Sequence, residues 1–272
     1  MTTTCYDVFK RFVEAAQAGV FIESENDNDK EFHFQNWVAA RLEELKLDFD
    51  EPARNAYPDF RLVHSPEGYE VKGLKNPGRI ANYDSNSQVP SGLHRGRQIY
   101  YVFGLYPNDL KPYPKSADGH RRYPLQELVV CHGDFLNADH EYVHKNKNVK
   151  GFGSYGDIMI RDRKMYVPPT PFAITAGTGG LRTLIVPERL QTADTRFQEV
   201  GRLTRIEANT LVVGYSFNLK NNDLTPESVL NPNAGTEHKF VAYRLKGEPA
   251  HAVSMRQYEQ PDDESDEKAG EA

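Results

Sequence analysis

Residues 57–75 read YPDFRLVHSPEGYEVKGLK, and the reading of this stretch decides the fold. Two runs rich in aromatic and branched residues, 57–63 and 69–74, flank HSPEG, whose Pro66 and Gly68 suit a turn. The pattern predicts an antiparallel hairpin. Strand side chains alternate between faces, so Glu70 and Lys72 share one face while Val71 points the other way into a core. Pairing Val63 with Glu70 sets Arg61 opposite Lys72 and Asp59 opposite Leu74. In that register Asp59, Glu70 and Lys72 lie on one side, and a slip of a single residue would send Asp59 to the other.

Two carboxylates and one ammonium group on one spot suit a hard divalent cation. Magnesium takes oxygen ligands, binds through one or two carboxylates and keeps several waters. The backbone carbonyl of Val71 would add a ligand to Asp59 and Glu70. Such a cation polarises a phosphate oxygen and acidifies a water, and Lys72 would hold the attacking water and offset developing charge. The bland alternative is an exposed hairpin face with a cross-strand ion pair worth well under ~1 kcal/mol.

Working outward, residues 6–18 carry Val8, Phe9, Phe12, Val13 and Ala16 at helical spacing, with Gly19 as a stop. A second helix is predicted over 31–47, with Phe34, Val38, Leu42 and Leu45 along one stripe. Downstream, IYYVFGLY (99–106) is almost continuously apolar, as a central strand buried on both faces requires. The second half offers strands at 126–133, 157–162 with 164–169, 181–187, 196–206, 210–219 and 239–245. Residues 196–206 and 210–219 flank EAN and read as a hairpin. This order predicts an α/β (α+β) class, a mixed central sheet flanked by helices with a strand-rich C-terminal half. One elaborated domain is expected over 1–258, with a core at about 31–110, a strand-rich recognition and support region at about 120–250, and a tail at 259–272.

Pro58-Asp59, ten residues, then Glu70-Val71-Lys72 resembles the signature of the PD-(D/E)xK nuclease superfamily, which includes many type II restriction endonucleases. The resemblance covers roughly residues 31–75. It implies a restriction-endonuclease-like sheet, with Asp59 and Glu70 binding Mg2+ and Lys72 helping to activate water for phosphodiester hydrolysis. It implies a magnesium-dependent endodeoxyribonuclease acting on double-stranded DNA, sequence-specific in the manner of type II enzymes. A homodimer over a palindromic site and a cognate DNA methyltransferase in the same system follow from that likeness. Many members offer a further acid from the helix before the hairpin, which here would be Glu31. Asn28-x-x-Glu31 fits a helix-capping box equally well. A repair or mobile-element nuclease that reads structure or modified bases, and a non-catalytic DNA-binding protein on the same fold, remain as alternatives.

The long polar loop 73–97 leaves the hairpin directly and holds Lys75, Arg79, Arg95 and Arg97, the expected DNA contacts. The formal charge of −6 does not argue against this. The tail 259–272 carries seven acids against one base, which accounts for all of it and leaves a neutral body. That tail is expected to be disordered. The two cysteines, Cys5 and Cys131, exclude a disulfide framework and a four-cysteine zinc site. His132, Asp134, His140 and His144 match no zinc spacing and read as a polar surface loop. No run approaches the roughly 20 apolar residues of a membrane helix, and the start of the chain lacks a signal-peptide core. A bacterial cytoplasmic location is therefore expected.

Overall fold

Helix α1 (Cys5–Gln17) forms where Cys5, Val8, Phe9, Phe12 and Val13 make one buried stripe. It stops at Gly19, whose φ of +72° a side chain would resist. The structure is a computed structural model that describes residues 4–24, 32–50, 57–78, 80–83, 90–108, 113, 115–137, 159–162, 165–167, 169–217, 220 and 224–256. For 159–162, 165–167, 212–217 and 224–226 it describes the backbone alone. Helix α2 (His33–Glu44) begins two residues later than expected, with Phe32 at its N-cap, and buries Phe34, Trp37, Val38 and Leu42. Glu31, Arg79 and the acidic tail lie outside the described residues.

The centre is a nine-stranded mixed sheet. Its long path comprises β1 (Phe49–Asp50), β2 (Phe60–Leu62), β3 (Glu67–Asn76), β4 (Arg97–Pro107), β5 (Glu127–His132), β6 (Arg182–Pro187), β7 (Phe197–Ile206) and β8 (Glu237–Leu245). The order across the sheet is β7-β8-β6-β5-β4-β3-β2-β1, and the short strand Leu93–His94 also pairs with β4. β3 runs parallel to β4 and β5 parallel to β6, while the remaining neighbours are antiparallel.

Each face of the sheet has its own core. Tyr69, Tyr100, Val102 and Val130 meet α1 and α2 on one side. Ile99, Tyr101, Phe103, Val129 and Cys131 face the other side, with Tyr83, Phe135 and Phe172 over them. This two-sided burial explains why β4 is apolar without alternation. Two glycines let α2 settle on the sheet. A Cβ at Gly104 would stand 2.2 Å from the Phe34 ring, and one at Gly73 would stand 2.8 Å from the Tyr106 hydroxyl.

The expected hairpin of 196–206 with 210–219 does not form. β7 pairs with β8, and Thr210–Phe217 pairs with Leu224–Leu230 in a separate two-stranded sheet. The chain turns away at Glu207, a buried carboxylate that accepts hydrogen bonds from Asn231 at 3.0 Å and from His238 at 2.7 Å. Its backbone is bonded to residues 235 and 236, which lead into β8. Those bonds hand β7 to β8 and free the following strand for another partner. His132 and Asp134, expected on a surface loop, are buried, and His140 and His144 lie outside the described residues. His132 accepts the Asp134 N–H at the start of a one-turn helix, and its Nε2 meets Gln98 at 2.8 Å. Among the described residues, no helix is long and apolar enough to cross a membrane.

Candidate active site

The hairpin forms with a shorter turn than expected. Phe60 pairs with Tyr69 and Arg61 with Gly68, four residues away from the predicted register. Gly68 belongs to the strand, not to the turn, because Pro58 packs on it: a Cβ there would lie 2.7 Å from the proline ring. Arg97 closes the turn by donating from Nη1 to the Leu62 carbonyl at 2.6 Å and the Ser65 carbonyl at 3.0 Å. A shift by an even number keeps every side chain on its face. Continuing the observed register by one residue sets Asp59 opposite Glu70, not Leu74.

Asp59 Oδ2 accepts the Val71 N–H at 2.7 Å, which pins this carboxylate to the edge of β3. A strand residue turns its N–H and its C=O toward the same neighbour. The Val71 carbonyl therefore faces the edge where Asp59 lies, beyond the short β2. Lys72 Nζ is 2.7 Å from Glu70 Oε1, and their side chains are 18% and 12% exposed. These groups are half-sheltered on the face away from α1 and α2, with a remaining opening to solvent.

Three tyrosines frame the pair. The Lys72 ammonium stands 5.9 Å from the centre of the Tyr83 ring, close enough for a cation–π attraction. Tyr57 receives a hydrogen bond from the Tyr101 hydroxyl at 3.1 Å and donates to the Ser91 carbonyl at 3.2 Å. Burial, and then the negative charge of Glu70, raise the Tyr57 phenol well above its ordinary pKa. Tyr101 is raised in the same sense, first by burial. Both phenols therefore stay protonated and act as hydrogen-bonding groups. None of the three tyrosines is singled out by the sequence: Tyr57 stands before Pro58, Tyr83 among polar residues of the loop, and Tyr101 within the apolar run of β4.

The donor set at this spot is all oxygen: the Asp59 and Glu70 carboxylates and the Val71 carbonyl. That set fits Mg2+, which binds through one or two carboxylates and completes its shell with water. Among the described residues, no three His, Cys, Asp or Glu side chains form a metal-binding group. A third acid from Glu31 falls outside the described residues.

The basic side chains expected beside the carboxylates are spread out. Because β3 and β4 are parallel, the chain must return the full length of the sheet between them. Lys75 is exposed near the end of β3, opposite Tyr106. Arg95 is exposed at the other end, in the turn it forms with Gly96, where φ is +49° and +78°. Arg97 is next to it, clamping the hairpin. At about 3.3 Å per residue, Lys75 lies roughly 16 Å along the sheet from Glu70 and Arg97 roughly 13 Å in the opposite direction. The described parts of the connecting segment do cover the carboxylate face. Tyr83 packs on Tyr101 and Phe103, and Gly92 is held by Asp134 Oδ1 at 3.0 Å.

No family model matches this chain, and no curated protein and no solved structure matches it either.

Proposed function

We propose that this protein is a magnesium-dependent endodeoxyribonuclease with a restriction-endonuclease-like core, hydrolysing phosphodiester bonds in double-stranded DNA. The observation that carries the reading is that Asp59 meets β3 at the Val71 N–H while Glu70 pairs with Lys72 on the face away from α1 and α2, with the Val71 carbonyl at the same edge. Asp59, Glu70 and the Val71 carbonyl would hold Mg2+. When bound, that ion would polarise a phosphate oxygen and lower the pKa of a water. Lys72 supplies a donor for the attacking water and a positive charge beside the phosphate, held by Glu70 and by the Tyr83 ring. Tyr57 and Tyr101 remain neutral and exclude water from beneath the carboxylates.

Arg95, at one end of β3 and β4, is an exposed cation suited to a phosphate beside the cut, while Lys75, at the other end, alternates with Leu74 and leaves β3 on the α2 side. Arg79 belongs to the same connecting segment. Arg97 has a structural task in the hairpin, so its contribution to DNA contact runs through the shape of the site. Sequence-specific cleavage of the type II kind is the form this reading takes. The test is incubation of unmethylated plasmid with the protein in Mg2+ or in EDTA, followed by sequencing of the ends. Discrete ends in Mg2+ alone support a sequence-specific enzyme. Scattered ends point to recognition of structure, and intact plasmid under both conditions contradicts the nuclease reading.

A further inference from the structure

A cleft of about 460 Å³ opens on the helical side of the sheet, away from the carboxylates. One wall is a single face of α2: His33, Asn36, Trp37, Ala40 and Arg41 recur at helical spacing. The other wall is the chain leaving α1, with Val20, Phe21 and Glu23, and Arg122 beside it. That wall is fixed. Ile22–Glu23 pairs with Arg122–Tyr123, and Trp37 Nε1 donates to the Val20 carbonyl at 3.3 Å.

The chemistry of the lining is distinctive. The Arg122 guanidinium lies 5.6 Å from the centre of the Phe21 ring and gives its Nε–H to Glu23 at 2.6 Å. Arg41 lies 5.3 Å from the Trp37 ring and bonds Glu44, which is not part of the lining. His33 stacks on Tyr123 at 5.0 Å at the base of the cleft. Flat rings and guanidinium planes receive flat heterocycles by stacking, and an amide such as Asn36 reads the edge of a base. Each guanidinium is paired with one carboxylate, Arg122 with Glu23 and Arg41 with Glu44, and each carries five N–H donors, more than those bonds use. A volume within the usual small-ligand range of about 300–1,000 Å³ fits a compact molecule.

We propose that this cleft binds one nucleotide, its base against Phe21 and the α2 face and its phosphate toward Arg122 and Arg41. The source is either a free mononucleotide or the 5′-phosphorylated end of a single strand. The site is separate from the carboxylate cluster and does not depend on the nuclease reading.

The chain contains one tryptophan, so fluorescence of Trp37 reports directly on the cleft. The full chain is titrated with AMP, GMP, CMP and UMP, with a 5′-phosphorylated oligonucleotide, and with inorganic phosphate. Equilibrium dialysis gives a second, non-optical measure. At least one mononucleotide or the oligonucleotide is expected to saturate at or below about 1 mM. Tighter binding of the oligonucleotide identifies the strand end as the source, and tighter binding of the mononucleotide identifies the free form. Arg122→Ala is expected to weaken binding about tenfold through loss of a charge-assisted contact. Ala40→Leu fills the cleft and is expected to abolish binding with far-UV circular dichroism unchanged. Should Ala40→Leu misfold, Arg122→Ala alone decides. No saturation by any probe, binding unchanged in the variants that fold, or inorganic phosphate binding as well as the nucleotides would overturn the proposal.

Discussion

Glu67 and Glu70 stand three residues apart on the same strand and meet opposite fates. Glu67 points to the helical face and is buried, accepting the Thr4 N–H at the start of α1 at 2.7 Å and the Tyr69 hydroxyl at 2.9 Å. Glu70 points to the other face, retains contact with solvent and pairs with Lys72. Both are acids in one β-strand. The difference lies in what covers each face. Helices bring backbone N–H groups, which can satisfy a buried carboxylate permanently. The opposite face is covered there by tyrosine side chains and a connecting segment, which leave an acid and a base able to meet a ligand.

The sharpest way to break this contrast is to remove the groups on the open face. Asp59→Ala, Glu70→Ala and Lys72→Ala are each expected to reduce plasmid cleavage at least about a hundredfold, the scale of lost acid–base or metal-assisted chemistry. Thermal unfolding should change little, and DNA binding should persist and weaken with salt. Equal cleavage by wild type and all three variants would mean that the cluster is only a surface ion pair.

On the helical face the expected loss is of stability, not chemistry. Phe34→Ala removes the ring that fills the hollow above Gly104 and should destabilise the fold by about 3–5 kcal/mol in urea unfolding. Arg97→Ala tests the seam between the two faces. Losing a charged donor to the Leu62 and Ser65 carbonyls should cost about 2 kcal/mol. A variant of unchanged stability but weakened DNA binding would reassign Arg97 to the substrate.

The smallest effect is a pH slope. Burial is the main cause that raises the Glu67 carboxyl above the ordinary glutamate pKa. The folded chain thus holds this proton more tightly than the unfolded chain does. Its contribution favours folding below the ordinary glutamate value and declines as pH rises from that value through the raised one. Glu67→Gln should lack this part of the slope when unfolding midpoints are compared across acidic to neutral pH. Identical slopes would show that Glu67 ionises in the fold as freely as an exposed glutamate.

Much of this arrangement was legible in the residues. The helical stripe of α1, the continuous apolar run of β4, and the alternation of Glu70, Val71 and Lys72 each follow from local periodicity. The hairpin register was misjudged by four residues because Gly68 looks like a turn residue until Pro58 is seen to need the space. An even shift leaves the face of each paired residue unchanged, and Asp59 meets the edge of β3 through the Val71 N–H. The pairing of β7 with β8 was hidden because it depends on Glu207 bonding to Asn231 and His238, far along the chain. The spread of Lys75, Arg95 and Arg97 was hidden for a related reason. Nothing local in the sequence says that β3 and β4 run parallel, and so nothing says that neighbours in one loop end up at opposite ends of a sheet.

The most direct measurement is the rate of supercoiled plasmid cleavage against Mg2+ concentration, for wild type and Glu70→Gln side by side. The account predicts a saturable rise for wild type and a background rate for the variant at every concentration. Matching curves for the two proteins, or a wild-type rate indifferent to Mg2+ and EDTA, would contradict it.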